Sequence, residues 1–243
     1  MGKIDKTLET LWKKYYTDAV SSEQEDHVIY CATSAGVESY TKYFYENFKE
    51  HLDLGKGKEV LDIGCGLGVF PSFLSDAGFK VTAVDYVPEM VQVAKKRMRD
   101  KPIQFRVADI YALPFPDNSF DYVTCFGVFQ NLSEPSNALK EMFRVLKPGG
   151  VMAMTTLNAL SLHYLLRKKK EIVPTLRYRP SEMRLLVANA GFDSIKEKGI
   201  YAFPSRMATD LFLKYHMHTV FNAVFRIGLL VSHSFYLEAR KPK

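Results

Sequence analysis

The sequence predicts an α/β domain built on a doubly wound, mostly parallel sheet, on three observations. Short apolar runs suited to buried strands recur between helical segments across residues 58–156. The first three of these runs end beside an acidic residue, Asp62, Asp85 or Asp109. The first run also leads into Gly64-Cys65-Gly66-Leu67-Gly68, glycines at alternate positions, where a backbone must turn sharply or let a ligand come close. Repeated βα units imply parallel strands with helices on both faces. In such sheets ligands sit at the carboxyl ends of the strands, near the point where the strand order reverses.

Residues 1–52 read as a helical cap, with helices around 4–18 and 34–50. Aromatics crowd both: Trp12, Tyr15 and Tyr16, then Tyr40, Tyr43, Phe44, Tyr45 and Phe48. They suit packing onto the main domain, or a cover over a bound ligand with Tyr15 or Tyr16 touching it. Residues 53–243 form the ligand-binding domain. A strand at 58–63 leads to a helix at 68–77, and a strand at 79–84 leads to a helix opened by Pro88, a residue suited to a first helical turn. A third strand covers 103–107. The fourth, 120–125, leads to a helix at 136–146 that Lys147-Pro148-Gly149-Gly150 stops. A strand at 150–156 and a helix at 181–190 follow, with Ser181 as N-cap and Gly191 closing it. Two last strands, near 195–202 and 233–240, flank an apolar helical insert at 203–231.

The chain has 243 residues, 47% of them hydrophobic, enough for one such domain with decoration. Its start lacks the apolar run of a secretory leader, and Lys6 stands where a myristoylation site needs Ser or Thr. No window offers about twenty uninterrupted apolar residues, the length of a spanning helix. Cys31, Cys65 and Cys125 lack metal-ligand spacing, so neither a metal site nor a disulfide is expected, and a reducing cytoplasm is. The net charge of +6, from 33 basic and 27 acidic residues, is compatible with anionic partners without demanding one.

Asp62-x-Gly64-x-Gly66-x-Gly68 resembles the cofactor loop of class I S-adenosylmethionine (SAM) methyltransferases. The dinucleotide fingerprint would need Gly or Ala at position 69, which is Val69. Asp85, about twenty positions on, stands where a carboxylate holds a ribose diol, a feature that SAM and NAD share. Asp109-x-x-x-Leu113-Pro114-Phe115-x-Asp117-x-Ser119-Phe120-Asp121 and Phe143-Arg144-Val145-Leu146-Lys147-Pro148-Gly149-Gly150 resemble signatures of the methyltransferase type 11 subgroup. That subgroup includes the ubiquinone- and menaquinone-biosynthesis enzymes. The likeness covers about residues 58–156, and more weakly to 202.

The resemblance implies a Rossmann-like sheet of seven strands with an antiparallel last strand, and SAM as cofactor with S-adenosylhomocysteine (SAH) as its product. It also implies a set of contacts. Gly64 and Gly66 approach the methionine part, in a loop completed by Cys65 and Gly68. Asp62 binds the ammonium, directly or through water, and Asp85 holds the ribose. Tyr86 and Met90 flank the adenine, although Met90 equally suits a core role beside Val91, Ala94 and Met98. Asp109 and Ile110 complete the adenine pocket, Phe126 lies beneath the sulfonium, and Tyr16 reaches in from the cap.

Methyl transfer by in-line displacement needs a base only when the nucleophile must lose a proton. Many members of the family carry a His after strand four; this chain reads Val128-Phe129-Gln130-Asn131-Leu132. Gln130 and Asn131 can orient a substrate but cannot act as a base, and His163, His216, His218 and His233 show no partner spacing, so no catalytic residue is assigned. Segments 157–180 and 203–231 should face the substrate. The apolar insert suits packing, an acceptor pocket, a dimer face or peripheral contact with a membrane, while Asp210, Lys214 and Arg226 oppose a spanning role. Arg167-Lys168-Lys169-Lys170, with Arg177, Arg179 and Arg184, is either a solvated stretch or a recogniser of an acidic group on the acceptor. The expected function is SAM-dependent methylation of a small molecule with an apolar or lipid-like portion, with no nucleic-acid partner. The alternatives are an RNA-modifying methyltransferase and a non-catalytic SAM-binding protein.

Overall fold

The computed structural model describes residues 5–21, 48, 56–161, 173–200 and 232–243. The apolar runs become strands β1 (Glu59–Ile63), β2 (Lys80–Asp85), β3 (Ile103–Val107), β4 (Phe120–Cys125) and β5 (Leu146–Leu157). β6 (Asp193–Ile200) and β7 (Ser234–Arg240) follow. The described helices are α1 (Asp5–Ser21), α2 (Val69–Asp76), α3 (Pro88–Arg97), α4 (Pro135–Val145) and α5 (Pro180–Asn189). The strands form one seven-stranded sheet in the order β3-β2-β1-β4-β5-β7-β6. β7 runs antiparallel to both its neighbours, and the other pairings are parallel.

Strand pleating sends alternate side chains to opposite faces. Leu61, Ile63, Val84, Val123, Met152 and Met154 meet Leu139 and Met142 of α4 and Met183 and Val187 of α5. Val60, Val81, Ala83, Val151 and Ala153 meet Leu74 of α2 and Val91 and Ala94 of α3. With apolar helices on both faces, the central strands read as near-continuous hydrophobic runs. Phe48 packs edge-on to Tyr122, with ring centroids 5.4 Å apart. The rest of the helix expected at 34–50 lies outside the described residues, as do Arg167–Lys170 and the insert at 203–231. The strand order reverses between β1 and β4, so the loops leaving their carboxyl ends diverge and open a cleft.

Two boundaries differ from the sequence expectation. α5 starts at Pro180 with Arg179 at the N-cap, so Ser181 lies inside the first turn. The fixed φ of proline favours the first helical position, which moves the cap back one residue. β5 starts at Leu146 rather than at 150. Phe120 pairs with Leu146 but Tyr122 with Val151, so Lys147–Gly150 bulge out of the ladder. The Gly149 N–H donates to Lys241 O at 2.9 Å, and the Lys241 N–H donates to Gly150 O at 3.0 Å.

The two strings of signature residues meet in a clamp away from the cleft. The Arg144 guanidinium donates to Glu141 Oε1 and Oε2 (both 2.8 Å), Asp117 Oδ1 (2.8 Å), Phe115 O (2.7 Å) and Leu113 O (2.9 Å). Lys147 Nζ donates to Asp121 Oδ2 at 2.9 Å, and the Glu59 N–H donates to the same oxygen at 3.0 Å. Burial opposes charge on Asp121, but these donors win and hold its carboxyl below the ordinary range.

Candidate cofactor site

Asp62 sits in β1 opposite Thr124 of β4, whose hydroxyl donates to Asp62 Oδ1 at 2.6 Å. The residue is 3% exposed. Burial pushes its carboxyl up to about 7, the Thr124 bond opposes that rise, and the nearby Asp85 adds to it. Beyond Ile63 the chain turns, and the Gly64 and Cys65 amides both donate to Val84 O, at 2.8 and 3.0 Å, tying the loop to β2. Gly64 has φ +75°, and a Cβ there would stand 2.2 Å from Val128 Cγ2, so the loop after β4 closes directly on the glycine. Gly68, at φ +85°, faces α3 instead, since a Cβ would meet Met98 Cγ at 3.1 Å and Ala94 Cβ at 3.4 Å. The Cys65 side chain is buried in the core, and burial drives its thiol well above its ordinary range, which rules out a nucleophilic role.

Asp85 links the first two loops. Its Oδ2 accepts the Gly66 N–H and its Oδ1 the Val87 N–H, each at 2.9 Å. Burial raises its pKa, and bonds from the Val87, Gly66 and Tyr86 amides pull it back. A carboxylate offers about four acceptor positions, so the fixed oxygens retain capacity for ligand hydroxyls. Asp109 caps the turn after β3, its Oδ1 accepting the Tyr111 N–H at 2.9 Å.

The remaining expected contacts divide. Tyr86 is 44% exposed, with Lys13 Nζ 4.5 Å from its ring centroid. Met90 and Ile110 are 3% and 6% exposed and pack in the hydrophobic core, Ile110 beneath α4 and Met90 beside Leu67, Val87 and Ala19. Phe126 packs edge-on to Phe70 at 4.7 Å and lies tilted 6.3 Å from Tyr236. Asp62, Gly64, Cys65, Gly66, Asp85 and Tyr86 are therefore gathered at the ends of β1 and β2, with Asp109 one loop further along.

Sequence reasoning missed how α1 crosses these loops. Ala19 and Tyr16 pack on Leu67 after β1 and on Val87 and Met90 after β2. Thr17 Oγ1 donates to Glu89 Oε2 at 3.3 Å. At the other end, Glu9 Oε1 accepts from the Tyr111 hydroxyl after β3 and from the Ser133 amide after β4, both at 3.0 Å. Trp12 Nε1 donates to Pro174 O at 3.0 Å. A lone glutamate in a helix crowded with aromatics carries no pattern that would single it out.

On the substrate side, a 3-10 turn at Phe129–Asn131 follows β4. Gln130 Nε2 donates to Gly127 O at 2.7 Å, and the Gly127 N–H donates to Thr155 Oγ1 at 3.0 Å. The Leu176 N–H donates to Gln130 O at 2.8 Å, which brings the segment after residue 173 beside this turn. Arg184 forms an ion pair with Glu197 at 2.6 Å. The described residues hold no cluster of His, Cys, Asp and Glu suited to a metal ion.

Residues 61–154 match the Methyltransf_11 family, a methyltransferase domain. The chain carries a class I SAM-dependent methyltransferase domain. Demethylmenaquinone methyltransferase of Renibacterium salmoninarum is 45% identical over 98 residues, which is 40% of this chain and 40% of that enzyme. Ubiquinone biosynthesis O-methyltransferase of Xanthomonas oryzae pv. oryzae is 37% identical over 110 residues, 44% of this chain and 46% of that enzyme. The chain thus spans less than half the length of these curated relatives. In fold, the methyltransferase domain is similar to the Haloferax volcanii protein solved in complex with the Trm112 methyltransferase activator. That match has a TM-score of 0.62 at 23% identity, covering 85% of this chain and 96% of the other.

Proposed function

We propose that this protein transfers a methyl group from SAM to a small-molecule acceptor with an apolar or lipid-like portion. One observation carries the proposal: the glycine loop after β1 is hydrogen-bonded through Gly64 and Gly66 to Val84 and Asp85 at the end of β2, with Asp62 tied to Thr124 of β4 beside it and α1 lying across the loops. The residue set suits the cofactor, with carboxylates for an ammonium and a ribose diol beside a glycine loop tied to β2. The names of the quinone-methylating relatives support the choice of acceptor class.

Bound there, SAM supplies an electrophilic methyl whose transfer leaves a neutral thioether. The task of the chain is to bind, orient and exclude water, and positioning of this kind contributes up to about 7–11 kcal/mol. Asp62 balances the ammonium and Asp85 fixes the ribose. Asp109 receives the adenine amino group, and residues 1–52 act as the cap. Gln130, held by Gly127, orients the acceptor without acting as a base. No described helix is long and apolar enough to cross a membrane, and we place the enzyme in the cytoplasm.

Calorimetry with SAM, SAH and NADH tests the proposal. Measurable binding of SAM and SAH without NADH is the expected result. NADH binding without either of the others would redirect the assignment to hydride transfer.

A further inference from the structure

We propose, taking the methyl-transfer function as given, that Glu9 is a positioning residue whose carboxylate latches α1 over the cofactor, so that breaking this latch opens the cleft. The main packing partners of α1 are α3 and the 3-10 turn after β4. It therefore belongs to the rim of the cleft rather than to the core between sheet and helices. Its C-terminal half is held by apolar packing and one bond from Thr17 to Glu89, its N-terminal half by polar contacts. Near the C-terminus, Ala19, Tyr16 and Val20 make apolar contact with Leu67, Val87 and Met90. Near the N-terminus the attachment is polar and converges on one oxygen. Glu9 Oε1 accepts from the Tyr111 hydroxyl at 3.0 Å, from the Ser133 N–H at 3.0 Å and from the Ser133 hydroxyl. Tyr111 is itself fixed, its hydroxyl oxygen accepting the Glu134 N–H at 3.1 Å.

The donors to Glu9 sit on the loops after β3 and β4, while the apolar contacts fall on the loops after β1 and β2. Ten residues separate Glu9 from Ala19, about 15 Å along a helix, so one rigid rod ties all four loops that frame the cofactor. Burial opposes charge on Glu9, but its donors prevail and hold the carboxyl below its ordinary value, which keeps it ionised at neutral pH. Bonds to an ionised oxygen are strong for their number. They involve no core side chain of the sheet, so their loss frees one end of α1 and leaves the domain folded.

Trp12, the only tryptophan in the chain, lies one turn beyond Glu9 and donates to Pro174 O, so its emission reports this end of the helix. The test uses the full chain as wild type, Glu9→Ala, Glu9→Gln and Ser133→Ala. Trp12 emission, hydrogen exchange of residues 9–19 and the thermal midpoint are measured without ligand, and SAH release is measured by stopped flow. For Glu9→Ala we expect red-shifted emission, faster exchange confined to α1 and SAH release about tenfold faster. Glu9→Gln keeps an acceptor oxygen and should lie between Glu9→Ala and wild type. Ser133→Ala, which retains the Ser133 amide donor, should show a smaller change in the same direction and stands in should Glu9→Ala fail to fold. Unchanged emission and exchange would overturn the proposal, and so would exchange that rises across the whole domain, because Glu9 would then support the fold and not the helix. Absence of SAH binding by wild type would sink the methyl-transfer function, while the ligand-free measurements would still decide the latch.

Discussion

Replacing Gly64 with alanine probes the contact on which the cofactor loop depends. The residue has φ +75°, a conformation that costs an alanine about 1–2 kcal/mol. The new Cβ would stand 2.2 Å from Val128 Cγ2, far inside contact distance, and such overpacking costs about 1–3 kcal/mol. Gly64→Ala should therefore destabilise the protein by about 2–5 kcal/mol. Val128→Ala removes the clashing methyl and leaves Val128 Cβ 3.6 Å from the new Cβ, an ordinary contact. The double variant should thus recover the steric part but not the backbone part, a favourable coupling of about 1–3 kcal/mol. Urea denaturation of wild type, both single variants and the double variant measures it. Additivity within about 0.5 kcal/mol would show that the loop after β4 does not press on Gly64.

Asp85→Asn should weaken SAH binding about 10- to 100-fold by calorimetry, through loss of a charged acceptor for the ribose. Arg144→Met removes the clamp and should cost about 2–4 kcal/mol in urea, a figure that allows for a guanidinium 30% exposed, while SAH affinity stays within about twofold of wild type. Asp62 sets a pH dependence. Its carboxyl rises from an ordinary 3.8 to about 7 in the fold, so the folded state keeps a proton that the unfolded chain releases. Ligand-free stability should fall as pH rises from about 4 to 7 and level off above that, and Asp62→Asn should flatten the slope. Thermal midpoints across that range check the sign.

Much of this architecture could be read from the sequence because strand burial writes itself as apolar runs. Val60–Ile63, Val81–Val84 and Tyr122–Cys125 are buried on both faces, and such runs need no partner to be recognised. Asp62, Gly64 and Asp85 were visible for a related reason, since an acid or a glycine at a strand end breaks an apolar pattern. Residues whose roles depend on distant partners were not visible. Ser181 looked like a cap until Pro180 fixed the first turn. The Leu113–Asp121 string is legible only as a subgroup signature, without a role, and beyond the turn at Asp109 it largely serves the Arg144 and Lys147 clamp. Glu9 meets Ser133 across 124 positions, a separation that no local pattern encodes.

A crystal structure of the SAH complex bears most directly on the cofactor cleft. We expect the ribose hydroxyls on Asp85, the ammonium on the Asp62 side of the glycine loop and α1 closed above both. SAH bound elsewhere, with Asp85 bonded only to the Gly66 and Val87 amides, would contradict the assignment.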